Sequence, residues 1–208
     1  MNEITYKLTL EQDYSKCILY SLNYYEIELL REAGDADGIY QLIENAAIKI
    51  SGAGADCIGL CANTLHEYAE RLQNNIKVPL IHIAEATAQE IMFAGCEKVG
   101  LLGTKKTMEL PFYKEKLANS GIECIVPDKT ERDYIQSVIS NELVKNIFKN
   151  ESRKRFLDII DSLCTKGAAG VILGCTEIPL LVRKEDTSAT LFNTLEIHAE
   201  ALVEFALN

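Results

Sequence analysis

VILGCTEIPL, residues 171–180, is an apolar run that ends in a glycine, a cysteine and two polar residues. A similar order occurs in IGLCANTLH, residues 58–66. An apolar run followed by polar residues and a helix is typical of a parallel strand that delivers side chains to its carboxyl end. The two cysteines, Cys175 and Cys61, are therefore candidate functional residues. Because Cys175 is followed by a predicted helix start, with backbone N–H groups and a positive dipole end, we expect a lowered pKa for its thiol.

Apolar runs and amphipathic segments alternate along the whole chain. The predicted strands are 15–22, 57–60, 78–83, 99–103, 124–127, 170–174 and 189–193, and the predicted helices are 37–51, 65–73, 84–94, 107–120, 132–147, 151–166 and 195–206. Short strands separated by helices predict parallel βαβ units and an α/β fold. A weak internal duplication predicts two similar lobes, each a short parallel sheet flanked by helices, with an active-site cleft between them. We expect residues 1–98 with 190–208 in the first lobe and residues 99–189 in the second.

The composition excludes several classes of protein. Of the 208 residues, 48% are hydrophobic and 25% are charged, which is typical of a globular protein with a core. The net charge of -10 argues against a nucleic-acid partner, because affinity for phosphates comes from clustered Lys and Arg. No run reaches the roughly 18 apolar residues of a membrane span, and the amino end lacks a signal-peptide pattern. We therefore predict a cytoplasmic protein with no membrane partner.

The cysteine pattern argues against a disulfide framework and against a metal site. The chain has seven cysteines, an odd number, and they are scattered without a C-x-x-C pair. No His or Cys pair has zinc-finger spacing. We therefore predict no structural metal.

Three motifs together resemble a known family. They are GCTEIPL at residues 174–180, Asn63-Thr64-x-His66, and LLGTxxT at residues 101–107. In combination they resemble the aspartate/glutamate racemase family of amino-acid racemases, and within it the broad or L-aspartate/glutamate-type branch. The resemblance runs from about residue 2 to the end of the chain.

The resemblance implies a reaction that uses no cofactor. Members of this family invert the α-carbon of an amino acid with two thiols on opposite faces of the substrate, one as thiolate base and one as thiol acid. It makes Cys175 the acid/base thiol of this chain. It also places Asn63, Thr64 and Thr176 at the substrate's α-carboxylate, where their dipoles would stabilise carbanion charge. Family members bind small amino acids and are usually homodimers.

The resemblance also nominates two cations and two supporting residues. Arg31 and Lys145 match the Arg and Lys that bind the substrate's side-chain carboxylate, although either could be a solvated cation on a helix face. His66 either orients the Cys61 region or pairs with a backbone carbonyl. Glu177 either caps the helix that follows it or takes part in catalysis. His82 and His198 are predicted to be structural.

The chain departs from the family pattern in two places, the first site and the amino end. Alignment on Asn63-Thr64 puts Ala62 where the first catalytic thiol belongs, with Cys61 one residue early. If residues 57–62 were a strand, Cys61 and Ala62 would face opposite sides. Either a local turn brings Cys61 into the site, or Cys175 is the one working thiol and Cys61 is buried as a small hydrophobe; the second interpretation is favoured. The family's amino-terminal strand is also missing from the predicted first lobe.

The sequence thus predicts an aspartate/glutamate-type amino-acid racemase whose activity is weakened by Ala62. Two other functions stay open. One is a one-thiol decarboxylase or isomerase of the same superfamily, which would protonate a carbanion from a single face. The other is a ligand-binding pseudoenzyme that keeps the carboxylate pocket without turnover. The preferred amino acid is left open.

Overall fold

A computed structural model describes residues 1–9 and 15–208 of the chain. These residues divide into two compact units. The helical unit comprises Met1–Leu60, Glu67–Ile81 and Ala199–Asn208, and the sheet unit comprises Cys61–His66 and His82–His198. The predicted lobe boundaries stay a prediction. Within the described ranges, no helix has the length and apolar character needed to cross a membrane.

Helices make up most of the regular structure. In chain order they are α1 (Asn2–Thr9), α2 (Tyr24–Glu32), α3 (Ala36–Gly52), α4 (Ala69–Gln73), α5 (Ile83–Phe93), α6 (Lys105–Glu109), α7 (Pro111–Asn119), α8 (Lys129–Asn141), α9 (Asn150–Thr165), α10 (Ile178–Leu181) and α11 (Thr194–Leu207). Short 3-10 helices cover Asn63–Tyr68, Leu143–Lys145 and Lys184–Asp186.

The sheet unit contains a four-stranded parallel sheet. Its strands are β1 (Lys98–Gly103), β2 (Glu123–Ile125), β3 (Gly170–Gly174) and β4 (Thr190–Asn193), in the spatial order β2-β1-β3-β4. The two central strands, β1 and β3, are buried along almost their whole length. Their sequences are nearly continuous apolar runs, as expected for parallel strands that are covered on both faces. The predicted α/β fold is confirmed.

Local sequence explains where several helices begin. Asp128 caps α8 by accepting a hydrogen bond from Glu131 N–H, and the Glu131 carboxylate accepts one from Asp128 N–H, so two otherwise unpaired N–H groups are satisfied. The predicted helix over 107–120 is two helices, because Pro111 begins α7 and the residue before a proline avoids helical backbone angles. Leu110 is accordingly extended. The sequence missed this break, and it did not predict α2.

The predicted strands of the helical unit are largely absent. Residues 15–23 form neither helix nor strand, and the apolar side chains of Ile18 and Leu19 are exposed, Leu19 by 82%. The predicted strand 15–22 is therefore wrong. Of the predicted strands 57–60 and 78–83, one parallel bridge between Ile58 and Leu80 is formed. The second of these runs stops early because His82 caps α5, with its Nδ1 accepting a hydrogen bond from Ala84 N–H.

The strand order of the sheet unit places a switch point between β1 and β3. The connection from β1 leads to β2 on one side, and the connection from β3 leads to β4 on the other. Ligands of open parallel sheets bind beyond the carboxyl ends of two such strands, where the connections diverge. Gly103 and Gly174 are the last residues of β1 and β3 and are paired in register. Any side chain at Gly174 would meet Leu102 O at 2.9 Å, so this edge has room only for glycine.

His66 holds the Cys61–His66 segment against the start of α5. Its Nδ1 lies 3.1 Å from Ala62 O, and its Nε2 accepts a hydrogen bond from Ile83 N–H at 3.2 Å. A backbone N–H can only donate, so Nε2 carries no proton and Nδ1 donates to the carbonyl. The ring is 2% exposed and packs edge-on against His82 and His198. Burial, with those two rings, lowers the pKa of His66 to about 3, so the ring is neutral.

We predict that Gly174→Ala destabilises the protein by about 1–3 kcal/mol, because the new methyl group would contact the β1 backbone and force the strands apart. Urea denaturation followed by circular dichroism measures the free energy of unfolding. Gly52→Ala is the control, since a Cβ at Gly52 meets no atom within 4 Å. The control should be neutral or slightly stabilising, as expected for alanine in a helix. Equal stability of both variants would contradict this prediction.

We also predict that His66 makes the stability depend on pH. The pKa of His66 is about 3 in the folded chain and about 6.5 when unfolded, so between these values only the unfolded state binds the proton. The contribution of neutral His66 is complete above pH 6.5 and is lost as the pH falls towards 3, by up to about 1.4 kcal/mol per pH unit. His66→Asn should be less stable at pH 7 but should lose less stability between pH 6.5 and 4. Parallel pH profiles of the wild-type and variant unfolding free energies would contradict it.

Candidate active site

Cys175 lies directly beyond the carboxyl end of β3, with Thr176 and Glu177 after it. The Cys175 thiol donates a hydrogen bond to Glu177 Oε2 at 3.0 Å, and the Thr176 hydroxyl donates to the same oxygen at 2.9 Å. Cys175 is 7% exposed, and both neighbours are partly exposed. One carboxylate oxygen therefore gathers a thiol and a hydroxyl at the edge of the sheet where ligands bind.

The expected low pKa of the Cys175 thiol is wrong. Burial raises the pKa above its ordinary value, and the nearby Glu177 carboxylate raises it further. The backbone N–H groups of Glu177 and Thr176 lower it, as anticipated, but they are outweighed. The helix that follows, α10, is a single turn, so little dipole is available to stabilise a thiolate. The resting form of Cys175 is the protonated thiol.

The hydrogen bonds of the Glu177 side chain bear on its two interpretations. Glu177 occupies the position before α10, but its side chain makes no capping hydrogen bond there. The carboxylate instead faces Cys175 and Thr176. Glu177 therefore makes no capping hydrogen bond with its side chain, and its part in catalysis stays a prediction.

A chain of hydrogen bonds joins the first motif to β3. Asn63 Nδ2 donates to Thr194 Oγ1 at 3.0 Å, and Thr194 Oγ1 donates to Leu173 O at 2.9 Å. Leu173 is two residues before Cys175, and Asn63 is two residues after Cys61. These bonds bring the segment that carries Cys61, Asn63 and Thr64 to the same edge of the sheet as Cys175.

Cys61 does not have the buried position that the sequence suggested. Residues 61 and 62 form a bend between the bridge residue Ile58 and the 3-10 helix that begins at Asn63, so strand alternation does not apply to them. Cys61 is exposed, and Ala62 is partly exposed. The expectation of a buried Cys61 is therefore wrong.

The two predicted cations have different surroundings. Arg31 lies on α2 in the helical unit, where it forms an ion pair with Glu28. Lys145 is exposed in the 3-10 helix that leads into α9. Arg153, in the first turn of α9, donates to Leu181 O at 2.7 Å, so this end of α9 lies near the segment that follows Cys175. Substrate binding by Arg31 and Lys145 stays a prediction.

Sequence reasoning did not single out Thr194, and it quoted Thr104 only as part of the LLGTxxT motif. Thr194 follows β4, and Thr104 follows β1, where its side chain caps α6. The available signal was position, since each threonine comes directly after a predicted strand. Within residues 1–9 and 15–208, no three His, Cys, Asp or Glu side chains are arranged to hold a metal ion.

Comparisons with known proteins identify the family of this chain. The family model for Asp/Glu/hydantoin racemases matches residues 4–202. The broad-specificity amino-acid racemase RacX of Bacillus subtilis (strain 168) is 30% identical over 165 residues, which cover 76% of this chain and 70% of RacX.

Two solved structures are similar over the whole chain. A candidate Asp/Glu racemase from Yersinia pestis is 41% identical, with a TM-score of 0.92, and the match covers 100% of this chain and 90% of that one. An aspartate racemase homologue from Pyrococcus horikoshii OT3 is 34% identical, with a TM-score of 0.86, and the match covers 100% and 91%. The sheet with its cysteine edge and the match over residues 4–202 lead to one conclusion: this chain belongs to the Asp/Glu/hydantoin racemase family.

Proposed function

We propose that this protein is a cofactor-independent amino-acid racemase in which Cys175 and Cys61 are the two acid/base thiols. The observation that carries the proposal is the hydrogen-bond chain from Asn63 through Thr194 to Leu173, because it brings the Cys61 segment to the carboxyl end of the strand that holds Cys175. An α-carbon between the two sulfur atoms could lose a proton to one and gain a proton from the other. The exposed bend at residues 61 and 62 favours Cys61 over a single-thiol mechanism.

Glu177 would control the protonation of Cys175 in this mechanism. Its carboxylate accepts the thiol's hydrogen bond, so it could take the thiol proton. Cys175 would then be a thiolate and could act as the base. In the opposite direction Cys175 already carries the proton that it delivers to the carbanion. A raised thiol pKa therefore favours the acid role of Cys175 at rest, and leaves the initial base role to Cys61.

The substrate would be a small amino acid, with aspartate and glutamate as the first candidates. Thr64, on the first segment, is a partly exposed hydroxyl donor and suits a carboxylate, and Thr176, on the second, would join it by turning its hydroxyl away from Glu177. Arg31 and Lys145 are the candidates for a side-chain carboxylate. Their surroundings do not select acidic over neutral substrates, so both belong in the assay. A cytoplasmic location and a homodimer stay predictions.

We predict that the wild-type protein exchanges the α-proton of its substrate in deuterated water and inverts the configuration. Mass spectrometry and chiral chromatography of L- and D-aspartate, glutamate, alanine and lysine measure exchange and inversion. Cys175→Ser and Cys61→Ser should each lower inversion by at least about 100-fold, since an alcohol is a far weaker acid and base than a thiol. Cys96→Ser is the control, because that cysteine lies in neither motif.

The pattern of loss distinguishes the possible functions. Unchanged inversion in Cys61→Ser would contradict the two-thiol proposal. Exchange from one enantiomer without inversion would indicate a single competent thiol, as in the decarboxylase alternative. Binding without any exchange would indicate a pseudoenzyme. A double variant with Cys61→Ala and Ala62→Cys moves the thiol by one residue. Higher activity than in Cys61→Ala alone would show that position 62, not position 61, is where the first catalytic thiol belongs.

We predict that Glu177→Gln lowers the pKa of the Cys175 thiol, because the substitution removes the negative charge that raises it. The ultraviolet absorbance of the thiolate, measured against pH and corrected with the Cys175→Ser protein, gives this pKa directly. The activity that needs Cys175 thiolate should then rise at lower pH than in the wild type. A pKa that is unchanged or raised would mean that burial alone controls the thiol.

A further inference from the structure

Thr194 is a fully buried residue that no motif identified. It follows β4 directly, and its exposed fraction is 0%. Its hydroxyl lies between two partners, Leu173 O at 2.9 Å and Asn63 Nδ2 at 3.0 Å. A threonine hydroxyl has one proton and can also accept, so it can serve both partners only in one way.

That single proton determines how the Asn63 amide is oriented. The Leu173 carbonyl can only accept, so the Thr194 proton must go to it. Towards Asn63, Thr194 Oγ1 can then only accept a hydrogen bond. The only donor in the Asn63 side chain is its amide nitrogen, so the nitrogen must face Thr194. The nitrogen and oxygen of an asparagine amide often have to be assigned from such networks, and here the network allows one answer. Asn63 therefore turns its nitrogen to Thr194 and its oxygen away from it.

Asn63 Oδ1 is left without a donor. Asn63 is 5% exposed, and among the described residues no donor reaches this oxygen. A buried acceptor without a partner is unfavourable, so a ligand that supplies a donor would remove that penalty and bind more tightly. Of the groups on an amino acid's α-carbon, the carboxylate can only accept and the ammonium can only donate.

We infer that Thr194 is a positioning residue that presents Asn63 Oδ1 to the α-ammonium group of the substrate. The inference rests on the proposed function and deepens it. It changes the role predicted for Asn63, which the family resemblance had placed at the α-carboxylate. The hydroxyl of Thr64 would then bind the α-carboxylate, together with that of Thr176 once it turns away from Glu177. An ammonium held in its charged form beside the α-carbon also stabilises the carbanion through its positive charge.

The test compares ligands that differ only in the amino group. Isothermal titration calorimetry measures the binding of L-aspartate and of succinate, which lacks the amino group, and of L-glutamate and glutarate. The wild type should bind each amino acid more tightly than its partner. Thr194→Val keeps the shape but removes the hydroxyl, and it should weaken amino-acid binding about tenfold while changing succinate and glutarate binding less than twofold. Thr194→Ser should restore the wild-type values.

Thr87→Val is the matched control. Thr87 is also fully buried, and its hydroxyl likewise donates to a carbonyl, Ile83 O at 2.7 Å, while accepting from Tyr113 Oη at 3.2 Å. The substitution therefore costs similar hydrogen bonds at a position outside the site. We expect it to lower stability without changing the preference for amino acids over their analogues.

A ligand-free measurement tests the positioning role by itself. In NMR spectra, one side-chain amide proton of Asn63 should exchange slowly with water in the wild type and in Thr194→Ser, and quickly in Thr194→Val. Equal exchange in all three proteins would overturn the positioning role. An equal loss of amino-acid and analogue binding in Thr194→Val, or no loss of either, would overturn the assignment of the ammonium group.

These outcomes are separate from those of the proposed function. If the wild type binds aspartate or glutamate but exchanges no α-proton, the racemase proposal fails while the comparison of ligands still decides what Asn63 recognises. If the wild type binds none of the four ligands, both the racemase proposal for these amino acids and the ammonium assignment fail, while the NMR result still decides the role of Thr194. In kinetics, Thr194→Val should raise KM more than it lowers kcat.

Discussion

The parallel pairing of β1 with β3 is the constraint on which the site depends. Gly103 and Gly174 end these strands in register, so close that a Cβ at either position would touch the backbone of the other strand. Because of this pairing, the residues that follow the two strands lie at the same edge of the sheet: Thr104 follows β1 and Cys175 follows β3. The Leu173 carbonyl, next to this edge, accepts a hydrogen bond from the Thr194 hydroxyl, and that hydroxyl accepts one from Asn63 Nδ2. The candidate residues thus come together because the two central strands keep one register.

Burial and charge then determine the chemistry available at this edge. Cys175 is enclosed and faces a carboxylate, so its thiol keeps its proton. Cys61 lies in an exposed bend and has different surroundings. Two groups of the same type in unlike environments are a common basis for dividing acid and base roles in one reaction. The asymmetry suits a proposed mechanism in which one sulfur removes a proton while the other already carries one.

The sequence predicted the sheet unit much better than the helical unit. The runs at 99–103, 170–174 and 189–193 are strands within a residue or two, because each is apolar, short and enclosed by neighbours that cover it. The run at 15–22 has a similar composition but is not a strand. A strand needs a hydrogen-bonding neighbour as well as a suitable composition, and periodicity says nothing about that neighbour. The side chain of Leu19 is accordingly exposed instead of being covered as it would be in a sheet.

Local order along the chain was enough to establish the α/β class, most helices, and Cys175 and Glu177 as neighbours after a strand, since all of these depend on residues close together in sequence. The pKa of Cys175 and the position of Cys61 depended on the folded chain, because burial and bend geometry are set by distant contacts. The orientation of Asn63 is the clearest case. It depends on Thr194, which is 131 residues further along the chain, and on one proton that Thr194 gives to Leu173.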